Sequence, residues 1–134
     1  MKAIADTGFI CAFVSSDDKH HGWALRVAEE LSEPALTCDA VLAETAYHLR
    51  SVDVVLELIV AELISPVFDL RSNVKHLQEL ARRYADRNPD LADLCLVRMS
   101  ELFPQRTVLT TDEKDFRVYR RNKRDVIPLL CPPK

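Results

Sequence analysis

Lys2-Ala3-Ile4-Ala5-Asp6-Thr7-Gly8-Phe9-Ile10 sets the architecture of this chain. Lys2 to Ala5 is a short, mostly apolar run that reads as a buried strand. It stops at a carboxylate, Asp6. Thr7 is then placed to cap a short helix carrying Phe9, Ile10, Phe13 and Val14. A carboxylate at the end of a core strand is costly to bury without a partner. The nearest basic residue, Lys2, lies at the other end of that strand, out of pairing reach. Asp6 is therefore the first residue that asks for a functional explanation.

The alternation of strand and helix continues. Asp17 and Asp18 end the first helix and are placed to cap a second, with Trp23, Val27, Ala28 and Leu31 at helical spacing and Pro34 as its stop. Ala35 to Cys38 reads as a second strand. Asp39 is expected to cap a helix with Leu42, Ala46 and Leu49 as its apolar stripe, and Ser51 a helix with Val54, Val55, Leu58, Ile59 and Leu63. Pro66-Val67-Phe68 reads as a third strand. A long helix from about Ser72 to Arg87 follows, with Val74, Leu77, Leu80, Ala81 and Tyr84 inward, and Asn88-Pro89 breaks it. Asp90 opens a helix carrying Leu91, Leu94, Cys95, Val97, Met99 and Leu102. Thr107 to Thr110 is a β-branched strand before a polar turn, and Val126-Ile127 is a final edge strand. Such interleaving implies an α/β fold, with a mainly parallel sheet covered by helices. Ligands bind such sheets outside the carboxyl ends of the strands, where the strand order reverses.

The chain has 134 residues, 48% of them hydrophobic and 29% charged, enough for a single domain over residues 1–134 with its own core. Its two glycines exclude a Gly-rich phosphate loop and argue against a turn-rich all-β fold. A net charge of −3 does not advertise a nucleic-acid binder, although local clustering still could. Four scattered cysteines, with no C-x-x-C spacing, read as reduced thiols. The most apolar window, Val54 to Ile64, is too short to cross a membrane and is broken by Glu57 and Glu62. Asp6 interrupts the apolar start before it can serve as a signal peptide. The expected location is the cytoplasm.

Acidic residues collect at the strand ends. Asp6 follows the first strand and Asp112 the strand Thr107 to Thr110. Glu44 lies early in the helix after the second strand. Asp90 and Asp93, three residues apart, share a face of the helix that leads into Thr107. Each has a structural reading too. Asp90 is a natural N-cap, Asp112 and Asp115 are natural turn formers, and Glu44 could be a solvated helix residue. Glu44 keeps company with Ala40, Val41, Tyr47 and His48, which leans it inward, and Asp93 sits in an apolar stretch. Carboxylates gathered in one pocket repel each other until their pKa values rise or they bind a cation. A hard divalent ion such as Mg²⁺ or Mn²⁺ suits oxygen ligands. It lowers the pKa of a bound water and neutralises charge building on a phosphodiester, which suits hydrolysis of a phosphate backbone.

These segments resemble a PIN domain, in particular the VapC type of toxin ribonuclease. Ile4-Ala5-Asp6-Thr7-Gly8-Phe9-Ile10 resembles the family's opening strand, acid and Thr. His20-His21-Gly22-Trp23-Ala24 resembles the start of its second helix. Val41-Leu42-Ala43-Glu44 with Tyr47-His48-Leu49-Arg50, Asp90-Leu91-Ala92-Asp93-Leu94-Cys95-Leu96-Val97, and Thr110-Thr111-Asp112-Glu113-Lys114-Asp115-Phe116 resemble its later acidic segments. Leu94 stands where many relatives carry Ala. The resemblance implies a PIN-like three-layer sandwich with a central, mainly parallel sheet flanked by helices. It places metal-binding, catalytic acids at Asp6, Glu44, Asp93 and Asp112, with Asp90 and Asp115 as possible supporting residues. It further implies RNA cleavage with Mg²⁺ or Mn²⁺, a homodimer, and a small antitoxin protein as inhibitor.

Thr7 and Thr111 are placed to hydrogen-bond an acid or a metal-held water, or simply to serve a cap and a turn. Arg117, Arg120, Arg121, Lys123 and Arg124 form a basic run after the Asp112 turn, either a solvated surface or an RNA-binding edge beside the acids. His20 and His21 lack a metal-ligand spacing and read as structural. Asp6-Thr7-Gly8 also matches an aspartic protease triplet, but the helical pattern and scarcity of glycine are wrong for that β-rich fold. A phosphotransferase would want a second Asp where Gly8 stands. The expected function is a metal-dependent endoribonuclease, the toxin of a toxin–antitoxin pair. The alternative is a noncatalytic PIN-like module that binds RNA or a protein.

Overall fold

Ala3, Ile4 and Ala5 are fully buried, as an unbroken apolar run in a covered parallel sheet should be. In the computed structural model, which describes residues 1–134, they form β1 (Ala3–Ala5), the middle strand of the sheet. The chain continues through α1 (Thr7–Val14), α2 (His21–Glu29), β2 (Ala35–Thr37), α3 (Asp39–Leu49), α4 (Val52–Val60), β3 (Ile64–Pro66), α5 (Val74–Arg83) and α6 (Leu91–Leu102). It ends with β4 (Thr107–Leu109), α7 (Glu113–Phe116), a hairpin of β5 (Arg120–Arg121) and β6 (Asp125–Val126), and β7 (Leu129–Leu130).

Five strands pair in the order β3-β2-β1-β4-β7, all in parallel. The register sets Ala3, Ile4 and Ala5 opposite Thr107, Val108 and Leu109. Successive strands run outward from β1 to β3, and the chain then returns to the other side of β1 to lay down β4. The order therefore reverses between β1 and β4, and a crevice opens at their carboxyl ends. Helices flank this sheet, giving the expected three-layer α/β arrangement. α6 packs against β1, β4, α3 and α5, and Ala92, Leu94 to Val97, Met99 and Ser100 are buried along it. The Leu94 side chain is accommodated within the core. All four cysteines are free thiols, and no helix is long and apolar enough to cross a membrane.

Several local expectations are corrected. Asp6, not Thr7, caps α1, its carboxylate accepting from the Thr7 amide at 2.7 Å. His20 is the N-cap of α2, and Asp18 accepts from its amide at 2.8 Å. Asp39 is the first residue of α3 after the Cys38 cap, where its charge suits the helix dipole. The buried line of α3 is Val41 and Thr45, because the Thr45 hydroxyl is satisfied by the Val41 carbonyl at 2.7 Å. Leu42, Ala46 and Leu49 are only half-buried.

The third strand lies at Ile64–Pro66, two residues earlier than Pro66-Val67-Phe68. Glu62 turns the chain out of the helix with a φ of 61°, so Leu63 and Ile64 continue the apolar pattern without being helical. The expected helix from Ser72 to Arg87 is three pieces, a 3₁₀ turn at Arg71–Asn73, α5, and a second 3₁₀ turn at Ala85–Arg87. Asn73 faces inward instead of Val74, since its amide meets both Arg98 and the Asp69 carbonyl at 2.8 Å. Asp125–Val126 belongs to the antiparallel hairpin, and the edge strand of the main sheet is Leu129–Leu130.

Candidate metal centre

The acids at the strand ends meet in the crevice. A cavity of about 610 Å³ is lined by Asp6 after β1, Asp112 after β4, Glu44 from α3, Asp90 and Asp93 from the start of α6, and Asp115 from α7. Thr7 and Thr111 line it as well.

Asp6 is the anchor. It is 7% exposed, and both oxygens are held, Oδ1 by the Thr7 amide and Oδ2 by the Thr110 hydroxyl, each at 2.7 Å. Burial pushes its carboxyl up to about 6, against the opposing pull of those two hydrogen bonds. The same Thr110 oxygen accepts from the Asp112 amide at 2.9 Å, so one hydroxyl fixes the acids after β1 and β4 together. The Thr7 hydroxyl donates to Glu44 Oε1 at 2.8 Å and ties α1 to α3.

On the opposite wall Asp90 caps α6 and accepts from the Asp93 amide at 2.8 Å. Asp93 Oδ2 accepts from the Tyr119 hydroxyl at 3.1 Å. Burial raises Asp93 to about 7, helped by the negative charges of Asp90 and Asp6. Asp112 caps α7 with its side chain, and burial and the Asp115 charge raise its carboxyl too. Asp93, Asp112 and Asp115 each offer an oxygen within 4.8 Å of the others. An all-carboxylate set at that spacing fits a hard divalent cation. Asp115 thus stands closer to the centre of the site than a supporting role implies, and it also pairs with Arg87 at 3.1 Å.

Thr110, Tyr119 and Arg87 escaped the sequence reading. Thr110 read as a strand residue. Tyr119 is mounted by edge-to-face contacts with Tyr84 and Phe116, whose ring centroids lie 5.0 and 5.4 Å away. No local pattern announces that packing.

None of the five residues of the basic run lines the acidic cavity. Arg117 pairs with Glu113 at 3.1 Å and borders a neighbouring groove that shares Thr111 and Asp112. Arg120 donates to the carbonyls of Arg117, Val118 and Tyr119, and Arg121 to those of Ser100 and Pro104. Lys123 borders a separate groove with Arg83 and Arg98, and Arg124 is exposed. His21 Nδ1 lies 2.7 Å from the Ala12 carbonyl, and His20 stacks edge-on against Trp23.

A family model described as the PIN domain matches residues 3–122. The chain belongs to the PIN-domain family. PIN domains are generally nucleases, and they typically use divalent metals. Comparison with curated proteins gave no match. The PIN-domain match includes every acid of the cavity and the strands β1 to β4 that position them.

Proposed function

We propose that this PIN domain is an endoribonuclease of the VapC type, which hydrolyses RNA phosphodiester bonds with Mg²⁺ or Mn²⁺. The observation that carries this reading is the meeting of Asp93, Asp112 and Asp115 within 4.8 Å, in a cavity that also holds Asp6 and Glu44. Asp6, Glu44, Asp93 and Asp112 would hold the ion, with Asp115 at the same centre and Thr7, Asp90 and Thr111 in support. When bound, a divalent ion activates water and offsets the charge that grows on the phosphodiester.

The chain's own residues organise the site for this. Thr110 and the Thr7 amide fix both oxygens of Asp6, the Thr7 hydroxyl holds Glu44, and Tyr119 aims Asp93. Such outer partners set ligand orientation before the ion arrives. Asp93, raised to about 7, is partly protonated near neutrality, and Asp6, raised to about 6, takes up its proton just below it, which limits repulsion in the empty site and makes ion binding release protons.

The proposal extends to a cytoplasmic homodimer that acts as a toxin and is restrained by an antitoxin protein. The free thiols support the location. Supporting self-association, Val52, Leu56 and Val60 repeat along α4 at 53–83% exposure. The test of activity is an RNA cleavage assay on the purified chain with Mn²⁺ and with EDTA. Cleavage that EDTA abolishes upholds the reading. RNA affinity without Mn²⁺ binding or cleavage overturns it in favour of a binding module.

A further inference from the structure

Seven carboxylates line the acidic cavity, and one residue in its wall carries a permanent positive charge, Arg87. Its backbone is fixed. Arg87 ends the 3₁₀ turn at Ala85–Arg87, its amide donates to the Tyr84 carbonyl at 2.9 Å, and Asn88 follows in a left-handed conformation with a φ of 47° before Pro89. Tyr84 is itself buried and packed on Tyr119, the residue that holds Asp93. From this mount in the cavity lining the guanidinium reaches Asp115 at 3.1 Å.

That ion pair is 31% exposed on the Arg87 side and 41% on the Asp115 side. Pairs this open contribute little and are readily exchanged. Asp115 is also one of the three acids placed to share a cation. A doubly charged ion seated among Asp93, Asp112 and Asp115 competes with Arg87 for the same carboxylate. A guanidinium released from it would stay tethered by the fixed Ala85–Arg87 turn in the lining of the acidic cavity. Its planar fork matches two oxygens of a phosphodiester better than a point charge would.

We infer that Arg87 is a binding residue for an RNA backbone phosphate, parked on Asp115 until a divalent ion takes that carboxylate. This rests on the reading of the site as a metal-dependent ribonuclease. A purely structural Arg87 would tie α7 to the segment before α6, and its loss would loosen Asp115 and weaken ion binding. The proposal requires the reverse.

The experiment compares the full chain with Arg87→Gln and Arg87→Lys. Mn²⁺ affinity is measured by calorimetry without RNA. RNA affinity is measured at saturating Mn²⁺, by fluorescence anisotropy with a phosphorothioate RNA that resists cleavage. Arg87→Gln should bind Mn²⁺ about twofold to fivefold more tightly, the scale of an exposed ion pair. It should bind the RNA about tenfold more weakly, the scale of a lost charged hydrogen bond. Arg87→Lys should keep part of the RNA affinity, so it carries the test if the Gln variant does not fold. Unchanged or weaker Mn²⁺ binding in the variants overturns the proposal, as does unchanged RNA affinity. If the unaltered protein neither binds Mn²⁺ nor cleaves RNA, the ribonuclease reading itself falls.

Discussion

The Thr110 hydroxyl donates to Asp6 at 2.7 Å, joining residues 104 positions apart across the seam where the strand order reverses. It also accepts from the Asp112 amide, so its loss would loosen one oxygen of Asp6 and the backbone that carries Asp112 at once. Thr110→Val keeps the shape and removes both bonds. Because the hydroxyl pulls the Asp6 carboxyl down, the variant should raise it above about 6. Mn²⁺ affinity near neutral pH should fall by about 10–100-fold, the usual effect of removing a ligand's outer partner. Calorimetry over a pH series checks this, and equal affinity at every pH would remove Thr110 from the site.

Asp6→Asn and Asp93→Asn should each abolish RNA cleavage while the chain stays folded. Asparagine keeps the volume and loses the negative charge that holds a cation. Circular dichroism establishes the fold and a gel assay the cleavage. Retained activity in both purified variants counts decisively against the ribonuclease.

The metal-free protein should lose stability as pH rises from about 4 to 7. Asp6 and Asp93 lie at about 6 and about 7 when folded, above the ordinary 3.8. Within that window the folded state binds more protons than the unfolded chain, so the slope of stability with pH is negative. Above it the cost is fully present, on the order of 3 kcal/mol for buried Asp6. Thermal melts in EDTA read the slope. Asp93→Asn should flatten it, and Mn²⁺ should restore stability at the alkaline end. An identical slope in the variant would assign the effect to other groups.

Gly8 is held to its identity by Thr111. A Cβ at position 8 would collide with Thr111 Oγ1 and stand about 3.1 Å from its Cβ. Gly8→Ala should therefore displace Thr111 and cost about 1–3 kcal/mol, the range for overpacking. The paired change Gly8→Ala with Thr111→Ala removes the nearest obstructing atom and should recover much of the loss. A double-mutant cycle of melting free energies measures the coupling, and simple additivity would refute it.

The alternation of apolar runs and amphipathic helices, the carboxylate that ends β1, and the cap at Asp90 are local properties, and the amino-acid order alone determined them. Asp6 and Asp93 stood out because a charge in an apolar segment needs a partner wherever the segment goes. Where apolar spacing was the sole guide, it misplaced β3 and turned Val74 inward over Asn73. A polar side chain with all its hydrogen bonds met can take a core position, and only the neighbours Arg98 and Asp69 show that they are met. The same holds for the site. That Asp115 joins Asp93 and Asp112, that Thr110 bridges two strand ends, that Arg87 faces the acids and that Arg121 spends its donors on the Ser100 and Pro104 carbonyls were decided by the tertiary structure. Each of these depends on which strands and helices become neighbours, and that choice is made by burial of the whole core and not by any short stretch of chain.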